Sequence, residues 1–235
     1  MRWLLLAALG ACCAAPPQPP PLPPIPPGEN PHRWATAIAE FETADRAAPV
    51  EPGKVVFAGS SSIRLWHTLE RDMAPLPVVH RGFGGAKLFD LLYYADTLIS
   101  RHRPSVVVLF CGTNDLDRTH AKTPEQVCTL FQRIVARLHA ADASLTIVYI
   151  AITPTLARDN RIEQVRDANR RIRDVCATDR RLEFVDPSPA LMDAAGRPDP
   201  KWFQRDRLHL NAEGYRVWTR YIRPVVLRLF ERARR

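Results

Sequence analysis

The sequence predicts a doubly wound α/β domain built on a parallel sheet. Short β-branched and apolar runs alternate five times with helix-periodic segments. The run Val106–Val107–Val108–Leu109–Phe110 is apolar at every position, as a strand covered on both faces must be. Three runs end in small or polar turns: Gly59–Ser60–Ser61–Ser62, Gly82–Phe83–Gly84–Gly85 and Gly112–Thr113–Asn114–Asp115. In a parallel sheet such turns open on one edge, the edge where open α/β folds place their sites.

Each element has its own signal. Asn30 before Pro31 predicts a helix start, with Asn30 as N-cap, and Trp34, Ile38 and Phe41 follow at helical spacing up to Pro49. Residues 54–58 read as the first strand, and Ile63, Leu65, Trp66 and Leu69 as the helix after the serines. A second strand at 77–81 precedes a helical stripe of Leu88, Leu91, Leu92, Ala95 and Leu98. After the 106–110 strand, Thr123–Pro124–Glu125–Gln126 is a capping box for a helix carrying Val127, Leu130, Phe131, Ile134 and Leu138. The fourth strand is 145–151. Asn160 and Glu163 predict the next cap, ahead of Ile162, Val165, Asn169, Ile172 and Cys176. On the outer face of that helix Asp167 with Arg171 and Arg170 with Asp174 form i, i+4 couples. A fifth strand at 182–185 leads into a loop over 186–210. Asn211 then caps a last helix with Tyr215, Trp218, Ile222 and Val226, which Pro224 is expected to kink or break.

The chain has 235 residues, 46% hydrophobic and 25% charged, enough for one well-buried domain after its N-terminus is set aside. A formal charge of +8 comes mostly from arginine spread along the chain. Nucleic-acid binding would cluster those charges with aromatics on one face, so a solvated basic surface is expected instead. The five cysteines show no CxxC pair and no disulfide framework. Cys111 reads as a small buried apolar residue.

Residues 1–15 read as a secretory signal: Arg2 precedes a short apolar core, too short to span a membrane. Leu9–Gly10–Ala11–Cys12 resembles a bacterial lipobox, which would make Cys12 the lipidated N-terminus of a periplasmic or outer-membrane lipoprotein. Cleavage after Ala15 is the alternative. Residues 16–29 form a linker, with nine prolines in the twelve positions from Pro16 to Pro27. As polyproline II, at about 3.1 Å per residue, those positions reach roughly 35–40 Å. Residues 30–235 are the folded domain.

The chemistry-bearing residues fall on the predicted strand ends and the last loop. A hydroxyl on the serine turn lies beside helix N–H groups that favour negative charge. Asp206 stands three residues before His209, close enough to orient one imidazole nitrogen while the other faces a serine. Taken singly, each piece also fits a plain turn, a helix cap or a surface ion pair.

Their order resembles that of the SGNH hydrolases, the GDSL-type esterases and lipases, over roughly residues 36–226. Phe57–Ala58–Gly59–Ser60–Ser61–Ser62–Ile63–Arg64–Leu65–Trp66 and Arg81–Gly82–Phe83–Gly84–Gly85 look like a bacterial subgroup described as lysophospholipase-like or acyl-esterase proteins. The resemblance implies a flavodoxin-like three-layer α/β/α fold with a five-stranded parallel sheet. It implies Ser61 as nucleophile, His209 as general base and Asp206 as its orienting acid. The oxyanion hole would be the N–H groups of Ser61 and Gly85 with the amide of Asn114. The family's Gly-Asp-Ser reads Gly59–Ser60–Ser61 here, which leaves Ser60 and Ser62 as rival nucleophiles. Asp115 is expected to cap the segment after the third strand. Thr153 and Arg158, after the fourth strand, could line the acyl or alcohol side of a pocket or simply be loop.

These parts require no metal and no cofactor. The implied activity is hydrolysis of O-acyl carboxylic esters through an acyl-serine intermediate. Without a lid-sized insertion, short acyl groups on a small-molecule or glycan substrate of the cell envelope are expected. A lysophospholipase or thioesterase is the nearest alternative, and a non-catalytic glycan-binding module is the alternative from another class. The sequence leaves the oligomeric state open.

Overall fold

The computed structural model describes residues 21–117 and 121–235. Five parallel strands, β1 (Val55–Gly59), β2 (Val78–Gly82), β3 (Val106–Phe110), β4 (Thr146–Ile150) and β5 (Leu182–Val185), lie in the order β2-β1-β3-β4-β5. The order reverses between β1 and β3, and a crevice opens at that point beyond the carboxyl ends of the strands. Register makes the edge flush there: Gly59 pairs with both Gly82 and Phe110.

Alternation along the strands divides the core. Val56, Ala58, Val107, Leu109, Ile147 and Tyr149 face one layer, made by α1 (Ala35–Ala47), α4 (Leu88–Tyr93), α5 (Ala95–Leu98), α6 (Pro124–Ala141) and α7 (Ile162–Ala177). Val55, Phe57, Val106, Val108, Phe110, Val148 and Ile150 face the other layer, made by α2 (Ser61–Arg64), α3 (Leu69–Met73) and α8 (Ala212–Ala233). All five residues of β1 and of β3 are buried, each large apolar side chain contributing roughly 1.5–3 kcal/mol. The Thr123 capping box forms in full, and Asn211 caps α8 by accepting from Gly214 N at 3.0 Å.

Several elements depart from their sequence signals. The helix after the serines stops at Arg64 and resumes as α3. The Ser62 carbonyl accepts from the Tyr215 hydroxyl at 2.8 Å, and Trp66 N turns to Ile63 O instead. The stripe from Leu88 to Leu98 is likewise two short helices meeting at Tyr94. Asn30 makes no side-chain cap; a 3₁₀ turn, Pro31–Trp34, comes before α1. Asn160 lies inside another 3₁₀ turn, Leu156–Arg161, and α7 starts without a side-chain cap. Asn169 does more than fill the apolar stripe, since its amide bonds both Ile152 N and Ile152 O at 2.8 Å. Pro224 does not break α8, which runs unbroken to Ala233. Pro224 and Arg220 are exposed, so the carbonyl left without an N–H partner faces water.

The proline-rich linker is also not free along its whole length. Arg137, near the end of α6, donates to the Pro21 carbonyl at 2.9 Å. Lys122 pairs with Glu29 at 2.5 Å, and Tyr94 donates to the Pro31 carbonyl at 3.2 Å. Residues 21–31 are therefore held to the domain at these three points. Cys12 and the remainder of the leader lie outside the described residues. Among the described residues no helix is long and apolar enough to cross a membrane.

Candidate active site

The serine turn leaves β1 through Gly59. A side chain there would put its Cβ 2.1 Å from the Phe110 carbonyl oxygen, so the crossing of β1 and β3 admits only glycine. Ser60 is extended and 2% exposed, and its carbonyl accepts from Ile63 N and Arg64 N. Ser61 is the first residue of α2, so its N–H has no acceptor within that helix. The four-residue helix is held from outside by Tyr215 on the Ser62 carbonyl and by His80, whose Nε2–H donates to the Ile63 carbonyl at 2.6 Å. Burial lowers the His80 pKa, which favours the neutral ring.

The last loop brings His209 over this turn. Its Nε2 lies 2.8 Å from Ser61 Oγ, and its Nδ1 lies 2.6 Å from Asp206 Oδ2. Ser61, and neither Ser60 nor Ser62, is thus the serine joined to the imidazole. The other carboxylate oxygen of Asp206 accepts from Leu208 N at 2.9 Å and His209 N at 3.0 Å. Burial raises the Asp206 pKa, but these N–H groups and the His209 ring outweigh it, and the carboxyl lies below its ordinary range. A carboxylate on Nδ1–H leaves Nε2 unprotonated, able to accept the Ser61 proton.

Gly85 and Asn114 close the other side. Gly85 takes φ +75°, a conformation that disfavours any side chain, and a Cβ there would approach the Trp34 ring to 3.2 Å. Asn114 Nδ2 donates to the Ala86 carbonyl at 3.0 Å, and its second N–H remains for another acceptor. The loop carrying Gly85 is fixed at the start of α4 by two carboxylates. Asp90, buried, accepts from Lys87 N at 2.9 Å and Trp34 Nε1 at 3.0 Å. Asp115, 1% exposed, accepts from Leu88 N at 3.0 Å and pairs with Lys122 at 3.3 Å. Asp115 therefore caps the helix after β2, not the segment after its own strand. Burial pushes its pKa up to about 6 against the pull of Lys122.

Thr153 and Arg158 both line the small cavity beside Ser61, together with Phe110, Thr113, Thr155 and Trp218. The cavity holds about 10 Å³, room for roughly one water. The hydroxyls of Thr113, Thr153 and Thr155 are buried there without protein partners. Arg158 lines the cavity with its guanidinium already engaged. Its guanidinium donates to Thr113 O at 2.6 Å, Asn114 Oδ1 at 3.1 Å and Asp117 at 3.2 Å. Burial lowers its pKa while Asp117 opposes the shift. Cys111 is a buried free thiol, 3.3 Å from the Ala86 carbonyl. Sequence reasoning missed the supporting roles of Trp34, His80, Asp90, Lys122 and Tyr215, each of which has a partner far along the chain.

A parallel α/β sandwich with a serine–histidine–aspartate chain at its carboxyl edge and unpaired donors opposite defines a class of protein arranged for acyl transfer at a hydroxyl. Within that class, the profile of the GDSL-like lipase/acylhydrolase family matches residues 55–217, and the chain belongs to this family of ester hydrolases. Solved structures share the fold. A candidate acylhydrolase from Bacteroides fragilis is 20% identical with a TM-score of 0.70, over 85% of this chain and 96% of that one. A GDSL-like lipase from Bacteroides thetaiotaomicron is 18% identical with a TM-score of 0.69, over 85% and 98%. A family 3 carbohydrate esterase from Clostridium thermocellum is 17% identical with a TM-score of 0.58, over 76% and 99%. No curated protein sequence matches the chain.

Proposed function

We propose that the protein is a serine esterase that removes short acyl groups from O-acyl esters through an acyl-Ser61 intermediate. The observation that carries this reading is the His209 imidazole bridging Ser61 Oγ and the Asp206 carboxylate. A serine hydroxyl is a weak nucleophile until a base takes its proton. In the proposed reaction Nε2 takes that proton as Oγ attacks the ester carbonyl, while Asp206 stabilises the imidazolium. The oxyanion is held by the N–H groups of Ser61 and Gly85 and by Asn114 Nδ2–H, each worth roughly 3–4 kcal/mol in rate for well-aimed donors. The imidazolium then protonates the departing alkoxide, and water, deprotonated by the same ring, releases the acid.

The small size of the cavity beside Ser61, with room for about one water or methyl group, supports a short acyl chain. The carbohydrate esterase among the structural neighbours supports a sugar or polysaccharide as the alcohol, and the basic leader with its Cys12 lipobox supports an envelope lipoprotein. Hydrolysis of p-nitrophenyl esters of two to sixteen carbons, by wild type and Ser61→Ala, tests the reading. Activity is expected on the shortest esters and lost in the variant, with fluorophosphonate labelling at Ser61. Preference for long chains would favour a lysophospholipase, and no hydrolysis of any ester would favour a glycan-binding module. Intact mass of the membrane fraction checks Cys12: a diacylglyceryl adduct is expected, and cleavage after Ala15 would exclude it.

A further inference from the structure

We propose that Arg158 is a positioning residue for the oxyanion hole, acting through Asn114 and not through substrate. This rests on the serine-esterase reading above. An asparagine amide can serve as an oxyanion donor only if its nitrogen, and not its oxygen, faces the position of the developing oxyanion. At Asn114 the choice is made by two partners: the Ala86 carbonyl, which accepts from Nδ2, and the Arg158 guanidinium, which donates to Oδ1. A flipped amide would set oxygen against oxygen at Ala86 and N–H against N–H at Arg158, losing both bonds.

The cation does more than select an orientation. A charge on Oδ1 draws electron density from the amide nitrogen and makes the remaining Nδ2–H a stronger donor, as in other charge-assisted chains of hydrogen bonds. The arrangement is rigid. Arg158 is 14% exposed at its side chain, its second contact fixes the Thr113 carbonyl one residue before Asn114, and Asp117 balances its charge at the same Nη2 that bonds Asn114. The 3₁₀ turn that carries it is tied to the other half of the site, since Ala157 N donates to the Arg207 carbonyl at 3.1 Å, between Asp206 and His209. A guanidinium meets two acceptors in one plane; a lysine in the same place would meet one at a time.

The test compares Arg158→Ala, Arg158→Lys and Arg158→Gln with Asn114→Ala and with the Arg158→Ala/Asn114→Ala double variant. Esterase kinetics on a short p-nitrophenyl ester and fluorophosphonate labelling rates are measured alongside thermal melting. Removing the charged bond should lower kcat about 10–100-fold with KM nearly unchanged. Millimolar guanidinium should restore part of the rate to Arg158→Ala, a result that a collapsed fold would not give. In the Asn114→Ala background, Arg158→Ala should add little, about threefold or less, because the amide it acts on is gone. Full multiplication of the two losses, or a rise in KM at constant kcat, would overturn the inference while leaving the esterase reading intact. Wild type that neither labels nor hydrolyses any ester would overturn both.

Discussion

The two sides of the cleft are built by different means. The side holding the proposed base is local and more open: Asp206 and His209 are three residues apart, their side chains are 45% and 19% exposed, and Asp206 is held by the N–H groups of the next few residues. The side holding the candidate oxyanion donors is long-range, and two of its supports, Asp90 and Asp115, are buried. Gly85 and Asn114 are set by Trp34, Asp90, Asp115, Lys122 and Arg158, drawn from segments far apart in sequence. A base must exchange protons with substrate and solvent, so it gains from access. Donors to a developing charge gain from being fixed beforehand in a low-dielectric surrounding.

Variants on the two sides should therefore fail in different ways. Asp206→Ala should cut kcat by about 10³–10⁴-fold, as loss of the imidazole's orienting acid does, yet cost under about 1 kcal/mol of stability. Turnover and urea denaturation on one preparation separate the two effects, and a large stability loss would break the contrast. Asp115→Ala should do the reverse. It strands the Leu88 N–H and leaves the Lys122 ammonium to Glu29 alone, so about 1–3 kcal/mol of stability should go, read as a lower urea midpoint.

The pH dependence of that buried carboxyl sharpens the contrast. Its folded-state pKa of about 6 lies above the ordinary 3.8. Between those values the folded state holds the proton more tightly than the unfolded chain does, so this group's contribution falls as pH rises from about 4 to about 6. Asp115→Asn lacks that loss. Its stability relative to wild type should climb by about 1–3 kcal/mol across the window and stay level above it, in urea titrations at pH 4, 5, 6 and 7. A flat difference would mean that Lys122 holds Asp115 ionised throughout. The smallest effect belongs to Gly85→Ala, expected to cost about 1 kcal/mol for its positive φ. It should lower kcat more than that strain alone implies, because the amide must move off Trp34.

The same division explains what the sequence made legible. All five strands were readable because apolar runs buried on both faces have no other use, and their ends fell within a residue or so of the observed bounds. Asp206–Arg207–Leu208–His209 was readable because both partners lie in one short loop. Asn114 and Gly85 could be picked out as strand-end residues and by resemblance, but the residues that aim them could not. Nothing near Asp115 says that its carboxyl caps a helix that begins 27 residues earlier. Arg158 was legible only as a residue at the right edge, and its partner is 44 residues away. The broken helices failed for a related reason, since the Tyr215 hydroxyl that takes the Ser62 carbonyl comes from the last helix.

The hydrogen bond from Arg137 to Pro21 gives the molecule a polarity. In a strand–helix–strand unit of a parallel sheet the helix runs back against the strands, so α6 begins at the edge that carries Ser61 and ends at the opposite one. Arg137 is in the fourth turn of that helix, about 20 Å along it. Pro21 is therefore bound at the floor of the domain, while Ser61, His209 and Gly85 form its roof. An ester reaching Ser61 therefore approaches from the end of the sheet opposite to Pro21.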